Sequence, residues 1–157
     1  SAGYIESVLL DVLKAAGGAY VLRLDDDEEI SKEMADWLIA RRYTESEIWS
    51  FPRKHLWNDT NHYITNSPLY PDHQTRLHTS EMNGWGERVH AGSPYGPGRF
   101  APVDILHHKF LIRDRDEREA IADHYEAIQN GAGHSPTYLP FQLPEAHFEQ
   151  LHLAEVI

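Results

Sequence analysis

Five consecutive carboxylates, Asp25-Asp26-Asp27-Glu28-Glu29, follow directly on the short apolar run Tyr20-Val21-Leu22-Arg23-Leu24. Carboxylates crowded at the end of a buried segment repel one another and lose hydration, so they need a partner of opposite charge. Oxygen ligands suit a hard divalent cation such as Mn2+ or Mg2+. On a continuing strand, residues two apart point the same way, which would aim Asp25 and Asp27 at one ion while Asp26 faces away. The plainer reading is a solvated acidic turn that opens the next helix, where the macrodipole favours negative charge.

Two later segments also group residues capable of chemistry. One is Tyr70-Pro71-Asp72-His73-Gln74-Thr75-Arg76-Leu77, followed by Trp85-Gly86-Glu87-Arg88-Val89-His90. The other is Asp104-Ile105-Leu106-His107-His108-Lys109-Phe110-Leu111. Asp72 and Glu87 read by themselves as ordinary loop carboxylates. Arg76 and Lys109 read by themselves as structural ion-pair partners. His107 and His108 suit a pair packed at the edge of a core.

Helical and strand periodicity supplies the elements that must hold these groups. Residues 4–16 carry apolar positions at helical spacing and stop at Gly17-Gly18. Residues 19–24 read as a buried strand, and 31–42 as an amphipathic helix with Ser31 as its cap. Residues 47–56 read as a strand interrupted by Pro52. A short strand is expected over 75–79, loop over 83–102, a helix over 117–129 and a further helix over 145–151. The expected fold class is α/β, as a single domain over 1–157 whose residues 132–157 form an irregular tail.

Composition narrows the function. The chain has 157 residues, 41% of them hydrophobic and 25% charged, the profile of a globular domain with a real core. A net charge of −11 argues against binding nucleic acid or an anionic membrane. The absence of cysteine excludes disulfides and thiolate metal sites. No apolar run reaches membrane-spanning length, so a cytoplasmic protein is expected, soluble or peripheral at the inner membrane face.

The order helix, Gly-Gly, apolar strand, Leu-Asp-x-Asp-Glu and amphipathic helix resembles the middle of a family 2 glycosyltransferase of the GT-A fold. Trp49-Ser50-Phe51-Pro52-Arg53 looks like the strand after that helix. Tyr70-Pro71-Asp72-x-Gln74-x-Arg76-Leu77 and Trp85-Gly86-Glu87-Arg88-Val89-His90 resemble the family's "P-x-x-Q-x-R-L-F … V-H-E" region. Ile105-Leu106-His107-His108-Lys109-Phe110 resembles its "L-H-Y-K" segment. The resemblance implies a partial GT-A-like mixed sheet flanked by helices. It also implies inverting transfer of a sugar from a nucleotide-diphosphate donor to a glycan or lipid-linked acceptor, in cell-surface polysaccharide synthesis. Asp25, Asp27 and Glu28 would then hold the metal, with His90 or His107 as a late ligand. Asp72 or Glu87 would be the base, and Arg76 and Lys109 would meet the phosphates. Ala91 stands where the family has Glu. About two dozen residues precede the Asp-x-Asp, fewer than one βαβ unit needs. A fragment is therefore expected, with an open sheet edge suited to a second copy or a partner chain.

Two other classes remain. His107-x-Lys109-x4-Asp114 matches the phospholipase D pattern, in which the histidine is the nucleophile of a phosphodiesterase. The usual Gly-Ser-x-Asn does not follow it. The third class is a non-catalytic GT-A remnant that binds a metal, a glycan or a partner.

Overall fold

The computed structural model of the chain describes residues 17, 19–82, 93, 95–128 and 152–156. The fold is mixed α/β. A six-stranded sheet has the order β1 (Tyr20–Leu22), β5 (Asp72–Thr79), β3 (Ile48–His55), β7 (Ile105–His107), β2 (Glu28–Ile30), with β6 (Arg99–Phe100) also paired to β3. The sheet is mixed: β1 runs antiparallel to β5, with Leu22 opposite Leu77, and β6 runs parallel to β3, with Trp49 opposite Arg99. A second, two-stranded antiparallel sheet joins β4 (His62–Ile64) to β8 (Leu153–Glu155). The helices are α1 (Lys32–Ile39), α2 (Lys109–Ile112) and α3 (Arg115–Ile128). The described residues form two compact units, one up to Pro52 and from His73 to Ile105, the other from Arg53 to Asp72 and from Leu106 onward.

In the first unit, α1 begins where Ser31 Oγ accepts from the Met34 N–H at 3.0 Å. It stops at Ala40, and Arg41 turns left-handed at φ 56° into a short 3-10 turn over Arg42–Glu45. The helix therefore ends three residues before the expected Arg42. Its apolar face places Met34 and Trp37 in a core with Trp49, Phe51, Leu77, Ala101 and Ile105. The Trp37 ring meets Trp49 and Phe51 edge-on, with centroids 5.0 and 5.6 Å away, the geometry that aromatic quadrupoles favour.

In the second unit, Ile64, Leu69 and Phe110 form a small core against Trp57. Asp114 and Glu117 cap α3 reciprocally, each side chain accepting from the other's backbone N–H at 2.9–3.0 Å.

Three expectations about elements change. Pro52 does not interrupt its strand, because β3 runs unbroken from Ile48 to His55. Alternate residues of a strand present their backbone groups to the same neighbour. On the side where Pro52 lacks an N–H, the Ser50 carbonyl accepts from Ala101 and the Leu56 N–H donates to His107. Proline thus falls between two short partners and forfeits no ladder bond. Strand β5 begins at Asp72 rather than at Thr75, since cross-strand pairing extends through the polar stretch Asp72-His73-Gln74. Strand β1 ends at Leu22, and the expected continuation to Leu24 is irregular backbone. The expected helices over 4–16 and 145–151 lie outside the described residues.

Candidate functional site

Among the described residues, two clusters of charged side chains with buried members stand out, one in each unit. In the first, the acidic run is a turn. The Glu28 N–H donates to the Asp25 carbonyl at 3.1 Å, which closes residues 25–28 on themselves. Because the strand has already ended, the two-residue alternation that would point Asp25 and Asp27 together does not operate. Asp25 is exposed and Asp27 buried.

Arg76 organises this turn. It sits on β5 next to β1, where the Arg23 N–H donates to its carbonyl at 2.8 Å. Its guanidinium is 3% exposed and donates to Glu28 through Nε and Nη2, both at 2.7 Å. Nη2 also reaches Asp25 Oδ2 at 2.5 Å. Such forked, charge-assisted bonds are the strongest that arginine makes. Arg76 is therefore the cationic partner of the acidic turn. Among the described residues, no three His, Asp or Glu side chains gather in a way that could hold a metal ion. As arranged, the carboxylates of Asp25 and Glu28 face the Arg76 guanidinium.

The second cluster is centred on His55. Arg53 and His55, two apart on β3, turn their side chains the same way and meet Asp72 at the start of β5. Asp72 Oδ2 accepts from Arg53 Nε at 2.9 Å, from Arg53 Nη2, and from His55 Nε2 at 3.1 Å. On its other side, His55 Nδ1 lies 2.9 Å from His107 Nδ1. The two imidazoles are inclined at 53° with centroids 4.6 Å apart, and Phe110 closes against His55 at 5.9 Å. Lys109 is buried beside them, its Nζ 5.0 Å from the Phe110 ring centre.

Burial holds the His55 imidazole well below its ordinary 6.5. The hydrogen bond to Asp72 opposes that shift, while the charges of Lys109, His107 and Arg53 deepen it. His55 is therefore neutral at physiological pH.

The structure thus brings together Asp25, Glu28 and Arg76 in one unit, and Asp72 and His107 in the other, with Lys109 buried beside them. Glu87 and His90 lie outside the described residues, as does Trp85. Asp114 is exposed, and its side chain accepts from the Glu117 N–H at the start of α3. Trp57 is a packing anchor, edge-on to Phe110 with centroids 5.2 Å apart, while Tyr95 is half exposed.

Arg53 and His55 were not singled out from sequence. Arg53, Lys54 and His55 are consecutive polar residues, so no spacing marked the pair that meets Asp72.

Comparison with known proteins finds no matching family model, no matching curated protein and no matching solved structure. Among the described residues, no helix is long and apolar enough to cross a membrane.

Proposed function

We propose that this chain carries the acceptor side of an inverting glycosyltransferase of the GT-A type. It would move a sugar from a nucleotide-diphosphate donor to a hydroxyl of a glycan or lipid-linked acceptor. One observation carries the reading. The acidic turn of Leu-Asp-x-Asp-Glu and the arginine of Pro-Asp-x-Gln-x-Arg-Leu, 51 residues apart in sequence, are joined by hydrogen bonds. Two motifs that suggest one family from sequence therefore form one constellation. The mixed sheet, and the helix that follows the acidic turn, support the same reading.

The reaction needs a base for the acceptor hydroxyl. Asp72 is the better supported of the two carboxylates singled out, because Arg53 and His55 orient it while part of its side chain reaches solvent. The Mn2+ or Mg2+ of this reading requires the acidic turn to rearrange, with Asp25 and Glu28 exchanging Arg76 for the ion.

Calorimetric titration of Mn2+ tests the reading, alone and with UDP, GDP or TDP, on the native chain and on an Asp25→Ala/Asp27→Ala variant. Mn2+ binding that needs the aspartates and tightens with a nucleoside diphosphate is the expected result. Aspartate-dependent binding indifferent to every nucleotide would replace transfer with a metal-binding, non-catalytic role. Absence of both metal and nucleotide binding would return the acidic run to a structural ion-pair cluster.

A further inference from the structure

The contacts from His107 through His55 to Asp72 have a direction. An ionised carboxylate only accepts, so the His55 nitrogen facing Asp72, Nε2, carries the proton. A neutral imidazole has one N–H, which leaves Nδ1 of His55 as a lone pair. His107 Nδ1, 2.9 Å away, is then the donor. Both protons point toward Asp72, and hydrogen bonds aligned head to tail polarise one another.

The three members differ in access to solvent. The His55 and Asp72 side chains are 1% and 23% exposed, and His107 is 4% exposed. The carboxylate is the open end and the imidazoles are the closed one. Arg53 already supplies Asp72 with a neutralising charge and two donors. Neutralisation therefore does not account for two further buried polar rings, each of which carries a desolvation cost. What the rings add is a fixed direction for the carboxylate.

We propose that His55 is a positioning residue: backed by His107, it holds the Asp72 carboxylate in one orientation, so that Asp72 and neither histidine meets the reacting hydroxyl. The proposal rests on the glycosyl-transfer reading for the identity of that hydroxyl. In that reaction the acceptor oxygen bonds to the anomeric carbon, and the bond from that carbon to the diphosphate oxygen breaks. The electron pair leaves with the diphosphate, and the hydroxyl proton passes to Asp72.

Heteronuclear NMR of the imidazole nitrogens in the full chain reads the relay directly, whatever the substrate. The expected pattern is a protonated Nε2 on His55 and a protonated Nδ1 on His107. In a His55→Phe variant, which keeps a ring in place, His107 Nδ1 no longer meets the His55 lone pair and its nitrogen resonance shifts. His55→Gln, whose amide still donates to Asp72, serves as the conservative rescue.

A second readout follows UDP release from UDP-glucose and UDP-galactose. There, His55→Phe lowers kcat about 10²-fold at unchanged donor KM, and His55→Gln recovers part of the loss. A proton on His55 Nδ1 in the native chain would overturn the proposal, as would a His107 Nδ1 resonance unmoved by His55→Phe, or kcat unaffected by it. If the native chain releases no UDP and binds none of UDP, GDP and TDP while both tautomers are as assigned, the transfer reading falls and the tautomer assignment stands.

Discussion

Arg76 holds two carboxylates that are unequal partners. The Glu28 side chain is wholly buried, whereas that of Asp25 is 48% exposed. Removing one partner of a buried ion pair leaves a bare charge in a poor dielectric, which costs about 3–5 kcal/mol. An exposed pair contributes about 0–1 kcal/mol. Arg76→Met is therefore expected to lower stability by about 3–5 kcal/mol in urea denaturation, and Asp25→Asn by less than about 1 kcal/mol. Equal effects would show that the exposed carboxylate, not Glu28, anchors the guanidinium.

His55 predicts a pH dependence with a definite sign. Because burial holds its folded proton affinity well below the ordinary 6.5, the unfolded chain takes up a proton that the folded chain refuses. The His55 contribution is intact above that ordinary value and is lost as pH falls from it toward the folded value. The groups facing the ring, Asp72, Arg53, Lys109 and His107, belong to the same balance. The urea midpoint should drop between about pH 7.5 and about pH 5, and His55→Phe should flatten that drop. Asp72 was legible in the sequence because a motif surrounds it. His55 was not, because a lone histidine in a Pro-Arg-Lys-His stretch carries no sign of what a strand 17 residues later brings to it.

At the scale of elements, local signals were read well and non-local ones poorly. Ser31 before an apolar periodicity announced the start of α1, and the structure uses it as the cap. Ser31→Ala is expected to cost about 1 kcal/mol, measurable as a shift in the urea midpoint. The acidic run was harder, since strand alternation and a closed turn fit the same letters. Only the pairing of β1 with β5 stops the strand at Leu22 and brings Arg76 alongside. Pro52 misled for the same reason, because its tolerance depends on gaps between neighbouring strands. Gly98 shows the limit of local reading. Its φ is +63°, and a Cβ there would stand 2.4 Å from the Ile48 carbonyl oxygen. Gly98→Ala should therefore cost more than the roughly 1–2 kcal/mol of a left-handed backbone alone, since backbone must also move where β6 meets β3. A denaturation midpoint close to that of the native chain would contradict this.

For the molecule as a whole, a net charge of −11 contrasts with the local clusters, in which charges of opposite sign meet. Both clusters are assembled from distant chain segments. Asp25 meets Arg76 across 51 residues, and His55 meets His107 across 52. Contacts of this span are made only after long loops have closed, whereas the cap of α1 spans three residues. The clusters should thus be absent from the folding transition state and present only beyond it. Substituting Arg76 would then steepen escape from the native state and leave the speed of reaching it almost untouched, so only the unfolding arm of a chevron plot would move. Resistance to slow, irreversible loss of structure would lie with the same few charged side chains that gather at the candidate sites.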